Sequence, residues 1–285
     1  MQSSSPTPTD FSPPPQDVSD DACTSGEWLR YFEENQRHLL VIPWEIGPEL
    51  TASERLALGR SIHEFQRGES SEGHHLYRYA QAYADRTGDR DYLLAIGLFI
   101  GEEQRHGRDL ARFLGVNQLS LAKSSFSDRV FRHLRHLAGT LEISIAVLVT
   151  AEIIAQAYYA ALREATGSRI LRTLCDQILR DEASHVQFQA EQLGKLRARR
   201  RQLLYGVTLA LHRFLFFGTC HVVWLVHASA FKQGGYGFRR FWRSAWLHFE
   251  RAFATSAMVR DRFGTRGGEA LRTPGHITRV SFRQY

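Results

Sequence analysis

The chain has 285 residues, 43% hydrophobic and 23% charged, with a formal charge of +6 and an isoelectric point near 9.4. That is enough length and apolar content for a sizeable buried core. Cys23, Cys175 and Cys220 are too few and too scattered for a disulfide framework, a rubredoxin-like site or a zinc ribbon, and they fit a reducing cytoplasm. The basic charge alone selects no nucleic acid, lipid or acidic protein as a partner.

Residues 1–22 are rich in Ser, Thr, Pro and Asp and have almost nothing to bury, so they read as a disordered leader. They lack the basic start and apolar run of a signal peptide. Residues 23–50 form an N-terminal helix, Trp28 to Leu40, and a connector broken at Pro43 and Pro48. Thr51 opens the next helix with Glu54 three residues on, a capping-box pattern. From there to about residue 200, spacing near 3.6 predicts four long helices: Ala52–Arg86 with a bend near Gly68, Asp91–Leu114, Leu141–Glu164 and Arg169–Arg197. The stretch Gly115–Thr140, with an amphipathic piece at Val130–Leu137, crosses over between the second and third. The fold class is therefore all-α: a four-helix bundle of two antiparallel hairpins joined by a long crossover, with extra C-terminal helices. Both hairpin turns carry Thr-Gly, Thr87-Gly88 and Thr166-Gly167, where glycine suits a left-handed C-cap.

Two Glu-x-x-His pairs, Glu103/His106 and Glu182/His185, project both side chains from nearly one helix face. With 18 Glu and 13 His, chance supplies about one such pair, and a third occurs at Glu72/His75. The placement of the carboxylates is more informative than the motif. Glu72, Glu103, Glu152 and Glu182 each fall in the middle of an apolar stripe, where a lone carboxylate is costly unless paired or metal-bound. Glu72 and Glu103 are equidistant from the Thr87-Gly88 turn, and Glu152 and Glu182 from Gly167. A rise of 1.5 Å per residue puts all four roughly 22 Å from their turns, at one level of the bundle. Four carboxylates and two imidazoles suit a pair of oxygen-preferring divalent ions: iron first, manganese or a mixed Mn/Fe pair behind it.

This pattern resembles the ferritin-like di-iron carboxylate superfamily, which includes bacterioferritins, rubrerythrins, ribonucleotide reductase small subunits and the soluble acyl-carrier-protein desaturases. Glu102-Glu103-Gln104-Arg105-His106-Gly107 is similar to the desaturase motif, and Asp181-Glu182-Ala183-Ser184-His185 to its fourth-helix counterpart. The resemblance covers Thr51 to Arg197 and implies a ligand set of Glu72, Glu103, His106, Glu152, Glu182 and His185, with Asp181 holding a ligand histidine. Ala155 and Gln156 replace the hydroxyl residue that several oxygen-activating members carry after the third-helix glutamate, which leaves Gln156 as the donor there. His75 is a candidate extra ligand and otherwise an edge histidine. Tyr79 and Tyr159, two turns from Glu72 and Glu152, are candidates for a redox role and otherwise core tyrosines.

Beyond the bundle, residues 201–285 hold a long apolar segment, Leu203–Phe231, interrupted by His212, Arg213, His221 and His227. A basic-aromatic helix follows, with Phe238, Arg239, Arg240, Phe241, Trp242 and Arg243. Three placements stay open for 203–250: packed on the bundle or on a homodimer partner, lying on a membrane surface, or spanning a bilayer. The functional expectation is a cytoplasmic, peripherally membrane-bound or soluble oxidoreductase that activates dioxygen, takes electrons from a separate donor and oxidises an organic substrate near Glu103 and Glu152. Ferroxidase or peroxidase chemistry without an organic substrate is the alternative, and a structural metal site in a helical interaction protein the third reading. No nucleic-acid motif accompanies the arginine run at 197–201.

Overall fold

The computed structural model describes residues 22–70, 73–119, 139–198 and 200–269, and all regular structure among them is helical. Residues 1–21 of the expected 1–22 leader, the Val130–Leu137 piece and Glu72 lie outside the described residues. Helix α1 spans Ser25–Asn35, starting earlier than the apolar pattern implied because Thr24 and Glu27 form a capping box. It also ends earlier. Past Asn35 the chain leaves the helix through a short turn, and the Leu40 N–H donates to Gln177 Oε1 at 2.7 Å. A single 3₁₀ turn, Trp44–Ile46, follows Pro43.

Helix α2 is Ala52–Glu69, capped by Thr51 and Glu54 as their spacing predicts. It stops there, and α3 begins anew at His74 and runs to Thr87. The expected single helix from Ala52 to Arg86 is thus two. Gly68 remains helical, and the break is set at Gly73, whose φ of +128° no side-chain-bearing residue adopts without strain. A Cβ on Gly73 would also lie 2.7 Å from Ile100 Cγ2, so α3 is seated tightly on the next helix. That helix, α4, spans Arg90–Val116, and is followed by α5, Leu141–Glu164, and α6, Arg169–Arg197.

Side-chain pairings give the helix directions. Arg55 Nη1 donates to the Asn117 carbonyl, and Gln66 Nε2 to that of Gly107, so α2 and α4 are antiparallel. Arg197–Glu142 and Arg163–Asp176 pairs make α5 and α6 antiparallel. Thr166–Glu54 and Tyr158–Ser61 bonds set α2 against α5 in the same sense. It follows that α4 and α5 point the same way.

The two turns use different chemistry. Gly88 takes the left-handed C-cap at φ +79°, as its Thr-Gly sequence predicts. Gly167 does not: α5 ends at Glu164 with Ala165 as its right-handed C-cap, and the Gly167 N–H and Thr166 hydroxyl both donate to Glu54 Oε1 at 2.9 Å. A carboxylate from α2 clamps that turn, so a left-handed residue is not needed.

Helix α7, Gln202–Gln233, lies on α5 and α2, and α8, Phe238–Glu269, packs along α6 and α5. Two buried histidines fasten α7: His212 Nε2 to the Thr150 hydroxyl at 2.9 Å, and His227 Nδ1 to Ser61 at 2.8 Å. Gly194 lets α8 approach α6, since a Cβ there would fall 2.5 Å from the Ser256 carbonyl oxygen. Helices α5 and α7 are each long and apolar enough to cross a membrane. In α5 that stretch is 89% buried inside the protein, whereas in α7 it is only 39% buried. The first is a core helix covered by its neighbours, which explains why it is apolar all round.

Candidate metal centre

Four helices bring glutamates and histidines to one buried point. Mid-helix positions on α4, α5 and α6 contribute Glu103 and His106, Glu152, and Glu182 and His185; α2 contributes Glu69, its last residue. They form two groups whose ligand atoms lie within 4.8 Å of one another: Glu69, Glu103, His106 and Glu182, and Glu103, Glu152, Glu182 and His185. Each group could hold a metal ion, and Glu103 and Glu182 belong to both.

Five of the six residues are those the sequence singled out, and the sixth is not. Glu69 stands in the cluster, three residues before Glu72 in the sequence, and Glu72 itself is outside the described residues. His75 is exposed on α3, with Arg78 Nη2 3.5 Å from its Nδ1, and belongs to neither group. Tyr79 is half-buried beside Arg78. Tyr159 is fully buried, and its hydroxyl donates to Glu69 Oε1 at 2.6 Å. Gln156 spends its amide N–H on the Glu182 carbonyl at 3.0 Å, tying α5 to α6.

Both imidazoles are aimed. His106 Nε2 sits 2.9 Å from Asp181 Oδ2, and His185 Nε2 sits 2.9 Å from Glu102 Oε2. A proton on each Nε2, held by a carboxylate, leaves the Nδ1 lone pair facing the cluster, the usual arrangement behind a ligating histidine. Each motif thus orients the histidine of the other, through the acidic residue just before its own glutamate. Asn35 on α1 bonds both carboxylates, giving its Nδ2 to Glu102 Oε1 at 2.8 Å and to Asp181 Oδ1 at 2.9 Å. Gln177 and Arg105 also donate to Asp181.

The donors facing inward have no such partners. Glu103 Oε1, both Glu182 carboxylate oxygens and the Nδ1 atoms of His106 and His185 are buried without a hydrogen bond. His185 Nδ1 does approach Glu103 Oε1 to 2.9 Å, an ion-pair contact not aligned as a hydrogen bond. Buried polar atoms are rarely left so, which is the reason to read this set as one that fits cations.

Electrostatics agree. Burial, then the Glu152 carboxylate, pushes Glu103 up to about 7 and Glu182 well above the carboxylate range. Burial and Glu103 do the same to Glu69. Burial pulls His185 down, but the Glu102 and Glu103 carboxylates outweigh it and push it up from its ordinary value. Burial would raise Asp181 too, but its hydrogen bond to His106 and the Arg105 charge hold it well below the usual range. Carboxylates crowded together away from solvent raise one another's proton affinity, and a cation placed among them would relieve that repulsion.

The sequence pattern missed Glu69, Glu102 and Asn35. For Glu102 a signal existed: it precedes Glu103 as Asp181 precedes Glu182. Asn35 gave none, because its role depends on how α1 docks. No protein-family profile, curated protein or solved structure matches this chain.

Proposed function

We propose that the chain is a ferritin-like di-iron carboxylate protein that activates dioxygen to oxidise an organic substrate. One observation carries the reading: the two ligand groups share Glu103 and Glu182, so these two carboxylates would serve both ions of a pair. The directions of α2, α4, α5 and α6 suit the same superfamily. Glu69 and His106 would complete one ion's ligands, and Glu152 and His185 the other's. Two iron ions held there would supply the electrons that reduce dioxygen. Oxygen-rich ligands with two imidazoles suit iron or manganese better than zinc.

The chain's own residues do the rest. Asp181 and Glu102 fix the imidazoles, Asn35 locks those two carboxylates to each other, and Tyr159 steadies Glu69. The rings of Phe32 and Phe99 lie 6.1 Å and 4.7 Å from that of His185, so buried apolar side chains cover this side of the cluster. The test is anaerobic loading with iron(II), metal analysis, and rapid mixing with dioxygen. Uptake of two ions and one oxygen-dependent oxidation per loaded centre support the reading. Continued oxidation of many added iron(II) ions per chain would favour ferroxidase chemistry, and no uptake would overturn both.

A further inference from the structure

Helix α7 is divided along its length. Its inner face, including Tyr205, His212, Phe216, Val223 and His227, is buried against the protein. Its outer face is just as apolar yet bare: Leu203, Val207, Leu211, Phe214, Phe217 and Leu225 are exposed, Phe214 by 77% and Leu225 by 76%. Leu204, Val207, Leu211 and Phe214 recur at steps of three and four, and Leu225 falls three turns further on, so they line one face. Contiguous exposed apolar surface of this kind marks an interaction site.

Charge says with what. Between Glu191 and Glu250 the sequence has ten Lys and Arg and no Asp or Glu. Arg197 and Arg200 are engaged by Glu142, but Arg201, Arg213, Lys232, Arg239, Arg240 and Arg243 are exposed. The half-buried indoles of Trp224, Trp242 and Trp246 lie in the aromatic cluster between α7 and α8. An apolar face with cationic flanks and interfacial tryptophans is the composition of a helix lying in a headgroup layer. We propose that the outer face of α7, together with the start of α8, docks on an anionic lipid bilayer without crossing it.

Two alternatives fit less well. Spanning would require α7 to leave the bundle, breaking the buried His212–Thr150 and His227–Ser61 bonds and carrying Arg213 into hydrocarbon. A second copy meeting the same face would bring like charges together, with no acidic residue in the segment to offset them.

The test is co-sedimentation of the full chain with vesicles of phosphatidylcholine alone or mixed equally with phosphatidylglycerol. Binding to the mixed vesicles, weakened by salt, is expected. The exposed double variant Leu211→Gln/Phe214→Gln should bind at least tenfold more weakly while keeping wild-type helicity and melting. Replacing Arg213, Arg239 and Arg243 by Gln should cost about a hundredfold on the mixed vesicles. The proposal is overturned if the wild type ignores both vesicles, or binds them equally and without salt dependence. It is also overturned if the chain is a dimer that Leu211→Gln/Phe214→Gln splits while vesicle binding is nil.

Discussion

Glu102 Oε2 lies 2.9 Å from His185 Nε2, although the two residues belong to different Glu-x-x-His helices. With the Asp181–His106 bond this makes the centre a reciprocal clasp: α4 cannot shift against α6 without misaligning both imidazoles. Glu102→Gln and Asp181→Asn should each weaken metal binding by about 10–100-fold while leaving the protein folded. Chelator competition measures this. Unchanged affinity in both variants would mean the clasp does not position the ligands.

The two overlapping ligand groups predict a stoichiometry. Glu103→Ala and Glu182→Ala should abolish loading, because each belongs to both ligand groups. Glu69→Ala and Glu152→Ala should each retain about one ion per chain. Metal analysis after dialysis reads the result, and running Glu72→Ala alongside decides which glutamate before α3 is the ligand.

The phenol of Tyr159 is the hydrogen-bond donor to Glu69 in a fully buried setting. Tyr159→Phe removes it at constant shape and should destabilise the metal-free protein by about 1–3 kcal/mol. A thermal melt without metal checks this, and full recovery on adding metal would show that a cation can take the phenol's place.

Burial holds His212 down to about 3, with Arg197 adding to it, and His227 down to about 4. Unfolded, each would take a proton near 6.5. The unfolded state therefore binds more protons between those limits, so stability is intact above about 6.5 and declines as pH falls toward 4. At pH near 5 the loss is about 2 kcal/mol per histidine. His227→Asn can keep the Ser61 bond without titrating, and should flatten its share of the slope in melts across that range.

Close contact of α6 with α8 gives a further check. A methyl on Gly194 would meet the Ser256 carbonyl oxygen at 2.5 Å and Val259 Cβ at 2.8 Å. Gly194→Ala should lower stability by about 1–3 kcal/mol in denaturant unfolding.

Much of this was legible in the chain alone. The third and fourth helices fall where their apolar spacing placed them, and Glu103, His106, Glu152, Glu182 and His185 meet as their register implied. In the first helix the apolar stripe singled out Glu72, and the described cluster holds Glu69, three residues earlier in the sequence, a spacing that periodicity cannot separate. That the helix ends at Glu69, with Gly73 at positive φ close against Ile100, depends on tertiary contacts that the local pattern does not carry. Glu54, one clamp for two elements, replaced the left-handed glycine expected at Gly167 through a contact between residues far apart in sequence. Whether α7 faces protein or lipid is invisible to composition, because both environments accept the same residues.

That break at the end of α2 also gives the centre an electrical asymmetry. Glu103, Glu152, Glu182 and both histidines sit inside helices, where peptide dipoles cancel locally, but Glu69 ends its helix, where the axial dipole presents partial negative charge. A carboxylate there is repelled by its own backbone, and a dication beside it answers both charges at once. Filling the site on the Glu69 side therefore also caps a helix, so the length of α2 and the occupancy of the centre should rise and fall together.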